Sequence, residues 1–193
     1  MVKINQIKTS PPTTIFAIDA STNSMAFAIF NKKDLISTGK INFIGNSSYD
    51  KVADASKKLN SFFKLYDIVD AIVIEHTVFI NSPKTAADLA LVQGAILGAA
   101  GINNIKIAGS VNPVTWQSYL GNKRLTSKEK QDIMEEFPGK SKAWYKSYER
   151  ESRKQKTIRF VNTYYDKDIS DNDVADACGI GHWAIHNWER LTK

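Results

Sequence analysis

The chain has 193 residues, 42% of them hydrophobic and 24% charged. That length and balance suit one medium domain that buries a core without staples, and they exclude a disordered or fibrous chain. A single cysteine, Cys178, rules out an intrachain disulfide and fits a reducing compartment, so a cytoplasmic protein is expected. The longest apolar stretch, 86–102, is interrupted by Asp88, Gln93 and three glycines, and residues 1–10 hold neither a signal-peptide core nor an arginine. No membrane partner is therefore expected. Twenty-six Lys and Arg against 20 Asp and Glu leave a net charge of +6, which points toward a polyanion.

In chain order the pattern is a mixed sheet with helices. Residues 14–19 are a short apolar run, read as a buried strand. Residues 25–30 and 35–43 follow turn signals at Thr22-Asn-Ser and Asn31-Lys-Lys-Asp, and the short links predict an antiparallel meander. Residues 49–66 carry Val52, Ala55, Leu59, Phe62 and Phe63 at helical spacing. Residues 69–75 form a fourth strand, parallel to the first after that crossover. A helix rich in alanine and leucine covers 85–100, and a fifth strand covers 105–108. Pro113 opens a helix over 114–120. Ser127 is expected to cap another over 128–137, which Pro138-Gly139 ends. Helices around 156–165 and over 171–191 close the chain, and residues 1–12 are expected to be flexible.

Four acids stand where metal chemistry needs them. Asp19 ends the run Thr14-Ile-Phe-Ala-Ile-Asp, Glu75 ends Ile72-Val-Ile-Glu, and Asp173 and Asp176 are three apart in an apolar-striped helix. Sheets of this kind place sites in the loops beyond buried strand ends, and an i, i+3 pair shares one side of a helix. The set is a candidate cage for Mg²⁺, with Mn²⁺ as a substitute, and two such ions about 3.5–4 Å apart drive phosphodiester hydrolysis. Each acid also has a plainer reading. A lone strand-end carboxylate can simply face solvent. Asp173 can serve the helix dipole, although Asp171 already supplies that charge or a cap.

The positive charge is concentrated in residues 140–159. Lys140, Lys142, Lys146, Arg150, Arg153, Lys154, Lys156 and Arg159 stand against Glu149 and Glu151, so eight minus two gives +6, the whole excess. Trp144, Tyr145 and Tyr148 are interleaved with them. Cations neutralise phosphates and rings stack on exposed bases; the alternative is a solvated helix with its rings turned to the core. Beside a candidate metal site, the run is read as a nucleic-acid contact.

The order β-β-β-α-β-α-β, with acids ending the first and fourth strands, resembles the RNase H-like fold. The motifs resemble those of the RuvC-type Holliday junction resolvases, among them the divergent phage-type members, over about residues 14–184. Phe16-Ala-Ile-Asp19-Ala-Ser-Thr is similar to the first motif and Ile72-Val-Ile-Glu75 to the second. Residues 109–128 are similar to the stretch carrying that family's lysines, and Asp173-Val-Ala-Asp176-Ala to its final acidic helix. The resemblance implies an α/β fold with a mixed five-stranded sheet, the first three strands antiparallel and the fourth and fifth parallel to the first. It implies one nuclease domain over 1–193, in which 138–170 is a basic insertion. It further implies that Asp19, Glu75, Asp173 and Asp176 hold two Mg²⁺ ions and that Lys128 lies near the scissile phosphate. Phe79 would match the aromatic that enters the junction, at a spacing one residue longer than usual. DNA contacts are expected from Lys123, Arg124, Lys142, Lys146, Arg150, Arg153 and Lys154. The function implied is cutting of four-way DNA junctions by paired nicks that leave 5′-phosphate and 3′-hydroxyl ends. The partner implied is a second copy of the chain; the helix over 85–100, apolar nearly all round, offers it a surface unless residues 137–171 cover that side. A phage-encoded protein would work in the cytoplasm of a bacterial host.

Three other readings remain at this level: a nuclease of the same fold acting on branched DNA or RNA–DNA hybrids, a fragment of an actin-like phosphotransferase, and a DNA-binding module with a dead site. The loop Asp19-Ala-Ser-Thr-Asn-Ser lacks the glycine a phosphate-binding hairpin would want, and the chain is short for two lobes. His182 and His186 share a helix face at a zinc-binding spacing but lack further ligands. His76 is expected to point away from Glu75. Cys178, Trp116, Trp183 and Trp188 are read as packing residues.

Overall fold

The computed structural model describes residues 12–66, 69–77 and 82–192. Phe79 and all but the last residue of the segment 1–12 lie outside the described residues. The strands are β1 (Thr14–Ala20), β2 (Ser24–Asn31), β3 (Asp34–Asn42), β4 (Ala71–Glu75) and β5 (Lys106–Val111). They form one sheet in the order β3-β2-β1-β4-β5. The β1–β2 and β2–β3 pairs are antiparallel, and the β1–β4 and β4–β5 pairs parallel. That is the mixed arrangement expected of an α/β, RNase H-like chain.

The helices are α1 (Ser48–Leu65), α2 (Pro83–Ile102), α3 (Pro113–Tyr119), α4 (Ser127–Glu136), α5 (Lys142–Tyr165), α6 (Asn172–His186) and α7 (Trp188–Leu191). Side-chain alternation along the strands divides the apolar residues between two cores. Phe16 and Ile18 of β1 and Ile72 and Ile74 of β4 pack with Leu59 and Phe63 of α1 and Val92 and Ile96 of α2. Ile15 and Ala17, with Ala71 and Val73, pack with Cys178, Ile180 and Trp183 of α6. Asp19 and Glu75 continue this second series, so both carboxylates emerge on the α6 side.

The structure corrects three expected boundaries. α4 is capped by Thr126 rather than Ser127, because Thr126 and Glu129 complete a reciprocal capping box. α5 begins at Lys142, so the basic run is one helix with the segment after it. Lys, Arg and Glu are good helix formers without any apolar periodicity, and Ser141 supplies the cap. The last predicted helix breaks at Asn187, whose side chain donates to the Trp183 carbonyl at 3.0 Å, a local bond that competes with helical continuation.

α2 corrects a fourth expectation. Over 18 residues its mean hydropathy reaches 1.5, so by length and composition it could cross a bilayer; Lys84 and Asp88 are its only charges. Here it lies on α1 and the sheet, with Val92, Ile96, Ala99 and Ala100 buried. Ala87, Ala90, Leu91, Gly94, Gly98 and Ile102 are exposed.

α6 sits very close to the sheet, and its glycines make this possible. A Cβ at Gly181 would overlap the Phe30 ring and approach the Ala17 Cβ to 2.9 Å; one at Gly179 would meet Trp116 Cζ3 at 2.7 Å. Gly181→Ala is expected to destabilise the protein by about 1–3 kcal/mol through overpacking. Thermal denaturation should show this as a drop of roughly 2–4 °C per kcal/mol.

Candidate active site

Three strands and one helix converge on the acids. The register Asp19↔Ala26↔Lys40 runs across β1, β2 and β3. Ile18 pairs with Ile74, which makes Asp19 and Glu75 the next neighbours on adjacent parallel strands. The first turns of α6, held down by the glycine contacts, bring Asp173 and Asp176 to the same place. Asp171 is the cap of α6, accepting from the Asp173 and Val174 amides at 2.8 and 3.2 Å.

The acids lie near enough for their charges to act on one another. Asp19 is held well above the usual carboxylate range, first by burial and then by the charges of Glu75, Asp176 and Asp173. Asp176 is pushed up to about 7 by burial, with Glu75 and Asp173 adding to it. Glu75 is also raised by burial, against a hydrogen bond that lowers it. That bond comes from Trp116 Nε1 to Glu75 Oε1 at 2.8 Å, so Trp116 is a positioning residue as well as a core one. Among the described residues, no three acid, histidine or cysteine side chains close into a ready-made metal cage. An oxygen-only donor set of this looseness suits a hard ion such as Mg²⁺, which keeps several of its waters and takes one or two carboxylates.

Asp176 has its own support. The charge of Lys154 and the nearby Thr157 hydroxyl draw its pKa back down. The Thr157 oxygen accepts from Asn122 Nδ2 at 3.0 Å, and the same amide group donates to the Arg153 carbonyl at 2.8 Å. Asn122 and Thr157 are both buried. Asn122→Ala would strand these partners, at a cost of about 1–3 kcal/mol. It is expected to lower thermal stability and, by loosening Thr157, to reduce any activity that depends on Asp176. An unchanged melting temperature would show that the network is not holding α5 to the loop before α4.

A cavity of about 410 Å³ opens beside the acids. Asp173 and Asp176 line one side, and Lys146, Arg150, Arg153 and Lys154 of α5 line the other. The Arg153 guanidinium also donates to the Gln117 side chain. Arg153 Nε and Asn122 Oδ1 are buried in this lining without a protein hydrogen-bond partner.

Comparisons with known proteins agree with this architecture. No family model matches the chain, and no curated protein matches it. Solved structures do. Thermus thermophilus RuvC in complex with Holliday junction substrate superposes with a TM-score of 0.64 at 11% identity, over 91% of this chain and 97% of that one. Another Thermus thermophilus RuvC structure gives 0.60 at 12% identity, covering 89% and 95%. The yeast mitochondrial Holliday junction resolvase Ydc2 gives 0.54 at 13% identity, covering 96% and 82%. The chain has the RuvC-like fold.

On this RuvC-like frame the remaining sequence candidates fall into place unevenly. Lys146, Arg150, Arg153 and Lys154 reach the acid-lined cavity. Lys142 instead lines an adjoining cleft of about 240 Å³ with Leu125, Ile133, Met134 and Tyr145, and Lys146 and Glu149 border both. Lys128 is exposed on the first turn of α4, Lys123 and Arg124 are exposed on the loop before it, and none of the three lines the cavity. Trp144 and Tyr148 stack on each other at 5.2 Å and pack with Phe137, while Lys140 lies 5.5 Å above the Trp144 ring. The rings therefore join α5 to the end of α4, half-buried and outside both cores. His182 bonds through Nδ1 to the Tyr165 hydroxyl at 2.6 Å and is pushed down to about 4 by burial and by His186. It is a neutral core histidine, as Cys178, pushed up to about 12 by burial, is a core thiol. His76 is exposed and meets Ser110 rather than the acids.

Sequence reasoning missed Lys40. It lies on β3, and its ammonium contacts Asp173 at 2.5 Å and Asp171 at 3.1 Å. The available signal was its place in a half-buried strand, where an unpaired lysine is costly.

Proposed function

We propose that the chain is a divalent-metal-dependent endonuclease that cuts four-way DNA junctions, a divergent RuvC-type resolvase of phage type. One observation carries this reading: a single cavity is lined by carboxylates on one side and by four cations on the other. A protein that only bound DNA would have no use for a cluster of half-buried acids beside its phosphate-binding face.

Asp19, Glu75 and Asp176 would hold the metal, Mg²⁺ or Mn²⁺, with Asp173 beside them. The bound ion supplies Lewis acidity at the phosphate and lowers the pKa of the attacking water. Lys146, Arg150 and Lys154 neutralise the phosphates on either side of the scissile one, and Arg153, through its bond to Gln117, holds α5 against α3. Trp116 and Thr157 hold the Glu75 and Asp176 carboxylates in orientation. The water oxygen adds to phosphorus as the P–O3′ bond breaks; the water gives up one proton and the leaving 3′ oxygen takes one up, so the products are a 5′ phosphate and a 3′ hydroxyl.

Paired nicks on opposing strands need two such sites, and a two-fold dimer provides them most simply. The exposed small and apolar face of α2 lies across the sheet from the acids and is the surface such a dimer would bury. Light scattering at micromolar concentration should give about 43 kDa, twice the 21.6 kDa chain. A monomer that still makes paired nicks would remove this part of the reading.

The decisive assay is cleavage of a synthetic immobile junction with Mg²⁺ and with EDTA, run beside a replication fork and an RNA–DNA hybrid at one salt concentration. The junction should be cut first and only with metal. Equal cutting of fork or hybrid would make the chain a broader nuclease, and metal-independent cutting would refute the mechanism.

A further inference from the structure

Lys40 takes no part in the function argued above, yet it stands among the acids that do. Its Nζ lies 2.5 Å from Asp173 Oδ2, and 3.1 and 3.5 Å from the two Asp171 oxygens. Its side chain is 27% exposed, and its strand position is in the same cross-strand row as Asp19. Its positive charge reaches Asp19 and partly offsets the acids that raise it. Asp171 is fixed by the two backbone amides that it caps, so the lysine is tied at one end to a rigid anchor and at the other to a site acid. We propose that Lys40 is the built-in second cation of this site, and that the four acids take one divalent ion, on Asp19, Glu75 and Asp176, rather than two.

The inference rests on the metal-dependent reading and sharpens it. An ammonium on Asp173 and a divalent ion on the same oxygen compete for one negative charge and repel each other. A second ion could enter only by displacing Lys40, which would also break the tie between β3 and α6. With Lys40 in place, the lysine and one divalent ion set three positive charges against the four carboxylates, and one negative charge remains. An ammonium has three donors; two carboxylates take two of them, which leaves one directed donor for a phosphate oxygen. Lys40 is thus a positioning residue that fixes Asp173 and replaces a metal ion in the charge balance.

Titration of the full-length chain with Mn²⁺, followed by the electron paramagnetic resonance signal of the free ion, reads the number of sites directly. Wild type should bind one ion per chain. Lys40→Met should bind two, because Asp173 is released, while its junction cleavage falls at least tenfold and depends more steeply on metal concentration. Lys40→Arg keeps the charge and should stay at one ion, which separates charge from folding if Lys40→Met is poorly folded. Two ions in wild type, or the same number in wild type and Lys40→Met, overturns the assignment. Asp19→Asn keeps the two failures apart. If it abolishes both Mn²⁺ binding and cleavage while Lys40→Met behaves like wild type, the nuclease reading stands and only the role of Lys40 falls.

Discussion

Asp176→Asn is expected to abolish junction cleavage and, without divalent cation, to raise the melting temperature at pH 8. The two effects have one cause. Burial and the charges of Glu75 and Asp173 lift the Asp176 pKa from 3.8 to about 7. The unfolded chain gives up this proton near pH 4, while the folded chain keeps it until about 7. Between those values the folded state binds more protons, so the contribution of this group to stability falls as pH rises and stays lost above about 7. At about 1.4 kcal/mol per unit, the penalty at pH 8 is up to about 4 kcal/mol. His182 works in the opposite direction between about 4 and 6.5, because its neutral folded form gains on the unfolded chain as pH rises. The informative quantity is therefore the difference between wild type and Asp176→Asn across pH 4–8. That difference should grow in favour of the variant up to about pH 7 and close when Mg²⁺ is added, since the ion neutralises only the wild-type cluster. Equal melting curves at pH 8 with and without Mg²⁺ would show that the cluster holds no cation. Asp19→Asn and Glu75→Gln should behave alike in activity.

The second large effect concerns the grip on DNA. Replacing Lys146, Arg150 and Lys154 with alanine should weaken junction binding and reduce the slope of log affinity against log salt by up to about 2.7, three contacts at about 0.9 each. Lys142→Ala is the control. Its side chain lines the apolar cleft rather than the acid-lined cavity, so it should leave the slope nearly unchanged. If the triple variant keeps the wild-type slope, α5 is a solvated helix. Arg153 is left out of the set because it also holds Gln117 and lies next to Asn122.

Much of this arrangement was legible in the residues. Asp19 and Glu75 end short continuous apolar runs of the kind that a strand covered on both faces needs. The Asp173–Asp176 spacing survives any small error in where α6 begins. What could not be read was lateral. Lys40 and Asp173 are 133 residues apart, and only the register of β3 on β2 brings them into contact. Trp116 carries its apolar character openly, but the bond from its indole to Glu75 depends on how α3 sits under β4. The start of α5 was missed for a different reason: a helix made of good helix formers with charges on every side shows no apolar period. The missing glycine contacts are similar, since Gly179 and Gly181 look like helix breakers until the closeness of Trp116 and Phe30 is known.

The two cores on opposite faces of the sheet bear on how substitutions in this chain combine. Leu59 and Ile96 share no partner with Ile180 or Trp183, so changes on the two faces should add to within about 0.3–0.5 kcal/mol. β1 is the exception. Phe16 and Ile18 belong to one core while Ile15 and Ala17 belong to the other, and one backbone places all four. Any message from the α2 face to the acids must pass through the sheet, and in β1 and β4 the last residue facing α6 is a carboxylate. Double-mutant cycles between α2 and α6 should therefore read near zero, and cycles that include a β1 residue should not.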